Sequence, residues 1–205
     1  MNPPAAQPHI LGVIPARWAS SRFPGKPLHP LLGKPLLQHV FERVQLCQNL
    51  SSTVIATDDQ RIADIAQSFG APVSLTSPHH PTGTDRIAET ANFFPQATHI
   101  INIQGDEPLI EPARIDQLAR DLTADPTLEM VTAAAPLTDS SQLPDPNIVK
   151  VVLNEAHEAL YFSRSPIPHF RSGDQPTPHP PNGLYGNRAD IRQPINNRPP
   201  PPHAV

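Results

Sequence analysis

The chain has 205 residues and a formal net charge of −4, with 29 prolines, 38% hydrophobic residues and 17% charged residues. This length suits one domain of ordinary size, and the charge gives no bulk reason to expect binding to nucleic acid or to a membrane surface. The single cysteine, Cys47, excludes an intrachain disulfide, and no apolar run approaches the roughly 20 residues that cross a bilayer.

Short apolar runs alternate with segments of helical period from residue 10 onward. The apolar runs predict buried strands at 10–14, 52–58, 71–76, 98–106 and 129–137. The helical periods predict helices at 35–47, 59–70, 83–94 and 111–125. Residues 147–165 alternate like a β-hairpin, with "NEAHE" as the turn. This order is typical of βαβ crossovers, and it predicts an α/β fold with a mixed, mostly parallel sheet.

The end of the chain differs in composition from the rest. After about residue 171 the sequence is rich in Pro and Asn and has no sustained periodicity. Such a segment buries too little apolar surface to offset its ordering entropy, so we expect loop or disorder there. The predicted organisation is one domain at 10–171 and a tail at 172–205. The start, "MNPPAAQPH", lacks the pattern of a signal peptide, and a cytoplasmic protein is expected.

The loop after the first strand, "IPARWASSRFPGKPL", contains Arg17, Arg22 and Lys26 and no acidic residue. Cations beside a glycine turn, between a strand and a helix, suit a phosphate chain. The loop is not a Walker A motif, because Pro27 follows Lys26. A solvated charged loop is the alternative. Trp18, inside the loop, could pack over a base or cover the loop.

Two further segments follow predicted strands and would lie at the same sheet edge. In "NIQGDEPLI", Asp106 could hold Mg²⁺, which prefers one or two carboxylates plus phosphate oxygens; a helix-capping role is the alternative. In "HPTGTDRIAET", Thr82, Gly83 and Thr84 open a helix, and an N-cap is the alternative there. For Asp59 we favour the capping role. The histidines have no spacing typical of zinc sites.

Five segments together identify a family. They are "IPARWASSRFPGKPL", "VIATDDQRIAD", "HPTGTDRIAE", "INIQGDEPLI" and "DPNIVKVVLNEAHEALYFSRSPIP". Because these segments occur in this order, the chain resembles the 3-deoxy-D-manno-octulosonate (Kdo) cytidylyltransferases, or CMP-Kdo synthetases, from about residue 10 to about residue 171. The resemblance implies a three-layer, nucleotide-diphospho-sugar-transferase-like fold and a homodimer. It also implies the Mg²⁺-dependent reaction of CTP with Kdo to CMP-Kdo and diphosphate, which serves lipopolysaccharide synthesis.

The resemblance also implies roles for particular residues. Arg17, Arg22 and Lys26 would hold the triphosphate, and Asp106 would be the Mg²⁺ ligand; Arg17, Lys26 and Asp106 are the expected catalytic set. Gln104 would contact the nucleotide or the sugar. The remaining expected substrate contacts are Thr82, Gly83, Thr84 and Arg86 around the cytidine and sugar, and Arg164 near the Kdo carboxylate.

The end of the chain departs from the family pattern. Pro180 and Pro181 replace an Arg-His pair ahead of the Gly-Leu-Tyr-Gly core at 183–186. The family's dimer-interface segment and a second acidic metal ligand have no counterpart, so a C-terminally truncated or frameshifted member is expected. A catalytically impaired remnant and a sialic-acid-type cytidylyltransferase are the alternatives, although "ALYFSRSPIP" favours the Kdo enzymes over the latter.

Overall fold

The computed structural model describes residues 7–19, 23–80, 82–137, 139–168 and 179–190. The strands are β1 (Ile10–Ala16), β2 (Pro30–Leu31), β3 (Lys34–Pro35), β4 (Ser52–Thr57), β5 (Val73–Leu75), β6 (His99–Asn102), β7 (Met130–Ala134), β8 (Lys150–Leu153), β9 (Ala159–Ser163) and β10 (Pro181–Arg188). The α-helices are α1 (Leu36–Val44), α2 (Gln60–Ser68), α3 (Gly83–Asn92) and α4 (Pro112–Ala124). Short 3-10 helices cover Lys26–Leu28 and Ser140–Gln142.

The main sheet has six strands in the order β5-β4-β1-β6-β10-β7. β4 and β6 both pair with β1 in parallel, β5 pairs with β4 in parallel, and β10 runs antiparallel to β6. The predicted α/β fold with a mixed, mostly parallel sheet is therefore confirmed. All five predicted strands and all four predicted helices are present, with ends shifted by at most four residues.

Helices cover both faces of this sheet. On one face, Ile87 and Ala91 of α3 pack in a buried cluster with Leu11 and Val13 of β1, together with Val54, Ala56, Ala97 and Ile100. On the other face, α4 lies so close to β10 that a Cβ at Gly186 would be 3.1 Å from Leu118 and from Leu122. Because strands buried on both faces need apolar residues at nearly every position, the continuous apolar runs of the sequence are explained.

Two compact units divide the chain: residues 1–131 with 185–205, and residues 132–184. In the second unit, β8 and β9 form the predicted antiparallel hairpin. Two hydrogen bonds link the ends of β7 and β10 in the same unit. Thr132 Oγ1 donates to Leu184 O at 2.9 Å, and Ala135 N donates to Pro180 O at 3.2 Å. Val151 forms an isolated antiparallel bridge with His179.

The prediction of loop or disorder throughout 172–205 is wrong for Pro181–Arg188, which form β10. The composition argument overlooked the local pattern, since the buried Leu184 and the half-buried Tyr185 sit between glycines that fit a crowded sheet. Residues 172–178 and 191–205 lie outside the described residues. No helix in the described ranges has the length and apolar character needed to cross a membrane.

Candidate active site

The loop after β1 is closed by Trp18. Gly25 adopts a left-handed conformation, with φ at +72°, and its N–H donates to Trp18 O at 3.0 Å. The indole lies directly on Gly25, where a Cβ would be 3.0 Å from the ring. The guanidinium carbon of Arg61 stacks 3.4 Å from the ring centroid. Of the two possibilities for Trp18, the structure therefore shows the one in which the ring covers the loop.

Arg61 is itself held by the residue that caps its helix. Asp59 accepts from Arg61 N at 3.0 Å, which confirms the predicted N-cap of α2. The same carboxylate accepts from Arg61 Nε at 2.9 Å and from Nη2 at 2.6 Å. These contacts hold the pKa of Asp59 below its ordinary value. The first turn of α2 thus braces the basic loop through Trp18.

The predicted basic loop and the predicted acidic segment meet directly. Lys26 Nζ lies 2.5 Å from Asp106 Oδ2, although the two residues are 80 positions apart in the chain. Both side chains are about half exposed, at 41% and 50%. Arg17 lines a cavity in the first unit. Arg22 lies outside the described residues.

The segment that carries Asp106 is pressed against the end of β1. A Cβ at Gly105 would come within 2.8 Å of Pro15 O, which is a backbone atom that cannot turn aside. Next to it, burial and then the charge of Asp106 raise the pKa of Glu107 above its ordinary value. Glycine at 105 therefore lets the acidic segment lie beside the basic loop.

The described side chains at this sheet edge offer few ligands for a Mg²⁺ ion besides the carboxylate of Asp106. No group of three or more His, Cys, Asp or Glu side chains that could hold a metal occurs within the described ranges. Mg²⁺ is commonly held by one or two carboxylates while phosphate oxygens and water complete its shell. The half-exposed carboxylate of Asp106 fits such an ion, with most ligands supplied by a bound triphosphate.

A cavity of about 540 Å³ opens in the first unit. Its volume is within the range of small-molecule sites. Alternate residues of β6 and the segment after it line one side, and the N-terminal half of α3 lines another. The lining residues are Pro15, Arg17, Gly83, Thr84, Ile87, Ala88, Ile100, Asn102, Gln104, Met130, Tyr185 and Asn187. Four expected site residues thus share one cavity: Arg17, Gly83, Thr84 and Gln104.

The start of α3 is capped by Thr82 and borders the cavity. Thr82 is the N-cap, and its Oγ1 accepts from Asp85 N at 3.2 Å while Asp85 Oδ2 accepts from Thr82 N at 3.2 Å. The N-cap alternative for Thr82 is therefore what the structure shows. The two residues after the cap, Gly83 and Thr84, reach the cavity. The helix N-terminus there favours an anion.

Arg86 has a different position from the one implied by the resemblance. Its side chain is 0% exposed, and Nη2 donates to Asp58 Oδ2 at 2.9 Å. Nη1 donates to Thr76 Oγ1. Arg86 is not among the residues that line the cavity, so in this structure it ties α3 to the ends of β4 and β5.

Arg164 belongs to the second unit. It follows β9 and is exposed, and its Nη1 donates to Pro146 O at 2.8 Å. Its expected contact with a sugar carboxylate stays a prediction.

Eight of the twelve lining residues were not among the expected site residues, and Asn102, Met130, Tyr185 and Asn187 are four of these. Asn102 lies two positions before Gln104, so the period of a strand could have placed both on one face. Tyr185 was part of the Gly-Leu-Tyr-Gly core already noticed in the sequence. Met130 and Asn187 gave no chemical signal.

Known proteins share the sequence pattern and the fold of this chain. The cytidylyltransferase family matches residues 11–197. A 3-deoxy-manno-octulosonate cytidylyltransferase of Solibacter usitatus is 49% identical over 89% of this chain and 72% of its own length. Enzymes of the same name from Leptospira biflexa (47% identical, 93% of this chain, 77% of their own) and Geobacter metallireducens (49%, 79% and 63%) are also similar. The chain thus spans 63% to 77% of these relatives.

Solved structures show the same fold. A CMP:2-keto-3-deoxy-manno-octonic acid synthetase complexed with CTP matches with a TM-score of 0.90 and 38% identity, over 95% of this chain and 80% of that one. A 4-diphosphocytidyl-2C-methyl-D-erythritol synthase of Anaerococcus prevotii matches with a TM-score of 0.61 at 12% identity, over 96% of this chain and 78% of that one, which shows the fold alone.

Proposed function

The chain belongs to the 3-deoxy-manno-octulosonate cytidylyltransferase family, and we propose that it transfers the cytidylyl group of CTP to Kdo and releases diphosphate. The observation that carries this proposal is the contact between Lys26 and Asp106. It joins a basic loop and an acidic segment at one sheet edge. Arg17 and Gln104, from the same two segments, line a cavity of suitable size.

The reaction is a displacement at phosphorus. The anomeric hydroxyl of Kdo attacks the α-phosphorus of CTP, its proton passes to solvent or a nearby base, and the bond to the bridging oxygen breaks to release diphosphate. Such a transfer asks the protein mainly for positioning and charge neutralisation. Lys26, Arg17 and Arg22 supply positive charge for the triphosphate and the departing diphosphate. Gln104 contacts the nucleotide or the sugar from the same cavity.

We assign Asp106 as the ligand of a Mg²⁺ ion, which when bound neutralises phosphate charge. Asp106 Oδ2 accepts a hydrogen bond from Lys26 Nζ at 2.5 Å. Both groups are half exposed, so this contact can exchange for phosphate on Lys26 and metal on Asp106. Glu107 stays beside it with a raised pKa, and its charge would add to the negative potential at this edge.

The start of α3 and Arg164 complete the proposed assignments. Gly83 and Thr84 offer backbone N–H groups to the nucleotide, while Thr82 holds the helix end in place. Arg164 would meet the Kdo carboxylate as a bidentate partner. A homodimer, a cytoplasmic location and a role in lipopolysaccharide synthesis are part of the same proposal and rest on the family resemblance.

The test is diphosphate release by the purified chain with CTP and Mg²⁺, given Kdo or, as control, sialic acid. Release with Kdo alone is expected. Release with sialic acid and not with Kdo would mean that sialic acid, and not Kdo, is the sugar substrate. No release with either sugar would overturn the proposed activity for this chain, and titration of CTP by calorimetry would then show whether a nucleotide-binding remnant is left.

A further inference from the structure

Lys150, the first residue of β8, is fully buried. Its ammonium group makes three hydrogen bonds, and all three go to backbone carbonyl oxygens: Asp145 O at 2.8 Å, Ile148 O at 2.8 Å and Arg164 O at 2.7 Å. An ammonium group has three N–H donors, so this one is fully satisfied. The function proposed above gives Lys150 no role.

Burial of this charge is expensive unless the geometry compensates it. None of the three hydrogen-bond partners is a carboxylate, so the direct compensation comes from carbonyl dipoles, and the charge of the nearby Asp145 adds to it. An apolar side chain of similar size would fill the same space without that cost. An apolar side chain could not donate hydrogen bonds, so it could not bring the three backbone carbonyl oxygens together around one group. The arrangement therefore fixes backbone geometry, and it joins residues that lie on both sides of the β8–β9 hairpin.

One of the three carbonyls belongs to Arg164. The guanidinium group of Arg164 donates in turn to Pro146 O at 2.8 Å. Arg164 is thus attached at two points to the loop at 145–148, by its own carbonyl through Lys150 and by its side chain. The loop is itself turned by Asp145, whose Oδ1 accepts from Asn147 N at 2.8 Å and from Asn147 Nδ2 at 2.9 Å.

Within the described part of the chain, Arg164 keeps free donors after this attachment. Among the described residues, Pro146 O is the only hydrogen-bond acceptor of its guanidinium group. The side chain is exposed, so the remaining N–H groups can face a ligand. A guanidinium that is tethered at one nitrogen loses less freedom when a carboxylate binds the others.

We infer that Lys150 is a positioning residue for Arg164: by holding the Arg164 carbonyl and the 145–148 loop together, it presets the guanidinium that receives the carboxylate of the sugar acid. The inference rests on the proposed function, in which Arg164 binds Kdo. It assigns Lys150 to recognition of the sugar acid and not of the nucleotide, although Lys150 contacts neither.

The test is a kinetic comparison of the wild type, Lys150→Met, Arg164→Ala and the double variant, with Lys34→Met as a matched control. Lys34 is a lysine paired with Glu42 on the surface of the first unit. For Lys150→Met we expect kcat/KM for Kdo to fall about 10- to 100-fold, as expected for a misplaced binding group. Most of the change should be a rise in KM for Kdo, while the Kd for CTP stays within about twofold.

The double variant separates positioning from general stability. If Lys150 acts through Arg164, then Lys150→Met has no further effect on kcat/KM for Kdo once Arg164 is alanine. Multiplying effects, or a Lys150→Met enzyme with wild-type KM for Kdo, would overturn the inference while leaving the proposed function intact. A wild type that releases no diphosphate with Kdo would overturn the proposed function, and this inference with it.

A second variant, Lys150→Gln, tests the inference if Lys150→Met does not fold. Lys150→Gln keeps an amide that can donate to two of the three carbonyls, and thermal unfolding monitors its integrity. We expect a smaller rise in KM for Kdo than in Lys150→Met, and again none in the Arg164→Ala background. A folded Lys150→Gln variant with wild-type KM for Kdo would contradict the inference.

Discussion

At the scale of single residues, the contact between Lys26 and Asp106 adds little to stability. Both side chains are about half exposed, and ion pairs in such places contribute about 0–1 kcal/mol because water screens them and two side chains lose freedom. The role proposed for them in the reaction accounts for them better, because a phosphate group on Lys26 and a Mg²⁺ ion on Asp106 would each bind more strongly than the exposed ion pair. The two residues can therefore be replaced without unfolding the chain.

Lys26→Ala and Asp106→Ala are each expected to lower diphosphate release with Kdo at least about 100-fold, because each removes charge stabilisation of the transition state. The free energy of unfolding in urea should change by less than about 1 kcal/mol. Lys34→Ala, which breaks a surface pair with Glu42, is the control and should keep full turnover. Near-normal turnover in either variant would remove the role assigned to that residue.

Arg86 is the opposite case, a charge held inside the protein. Its side chain is 0% exposed, and its pair with Asp58 is the tie between α3 and the end of β4. Arg86→Met should destabilise the chain by about 3 kcal/mol, because one partner of a buried pair is left without its counter-charge. Arg114→Met, which breaks an exposed pair with Glu111, should cost less than about 0.5 kcal/mol. Both are measured by urea unfolding, and equal small effects would contradict the structural role.

At the scale of elements, the sequence predicted the alternation of strands and helices because buried parallel strands and amphipathic helices both leave periodic signals. β10 was missed since its sequence, PNGLYGNR, reads as loop by composition. Its place in the sheet depends on close packing by α4, whose Leu118 and Leu122 lie against Gly186, and a tertiary contact of that kind has no local signal.

The site was predictable to a similar degree. Polar segments after neighbouring strands correctly indicated one edge, and Arg17, Gly83, Thr84 and Gln104 do share a cavity. The burial of Arg86 was not predictable, because its partners Asp58 and Thr76 come from other elements. A motif gives the residue type at a position, but it does not tell whether the side chain points into the cavity or into the core.

Gly105 links the elements at this edge, since its lack of a side chain lets the acidic segment touch the end of β1. Gly105→Ala places a Cβ within 2.8 Å of Pro15 O, so the segment must shift away. We expect turnover with Kdo to fall about 10- to 100-fold through displacement of Gln104 and Asp106. Gly33→Ala is a poor control because of its positive φ, and Gly83 lines the cavity. Ala113→Ser, a similar small change at an exposed position of α4 that does not line the cavity, serves better for size alone. Unchanged turnover in Gly105→Ala would show that the close approach is not needed.

At the scale of the whole molecule, several titrating groups connect the fold to pH, and His99 and Glu89 are two of them. Burial, and then the charge of Arg188, lower the pKa of His99 below its ordinary value of 6.5. For Glu89, burial alone would raise the pKa. Hydrogen bonds from Ser77 N–H and the His80 ring, with the charges of His80 and Arg86, outweigh burial and lower the pKa below its ordinary value of 4.5. In both cases the unfolded chain binds its proton more readily than the folded chain.

Stability should therefore fall in two steps as the pH is lowered, because protons favour the state that binds them more tightly. The first step begins near pH 6.5, where unfolded His99 takes up a proton, and the second begins near pH 4.5 with Glu89. Urea unfolding at pH 7.5, 5.5 and 4 measures both. His99→Asn should flatten the dependence between pH 7.5 and 5.5. Glu89→Gln should reduce the slope below pH 4.5 without abolishing it, because Asp59 and other carboxylates also have lowered pKa values. A loss of stability between pH 7.5 and 5.5 that persists in His99→Asn would assign the first step to another group, since the sign of the shift allows His99 to contribute only as the pH falls from 6.5 towards its folded-state pKa.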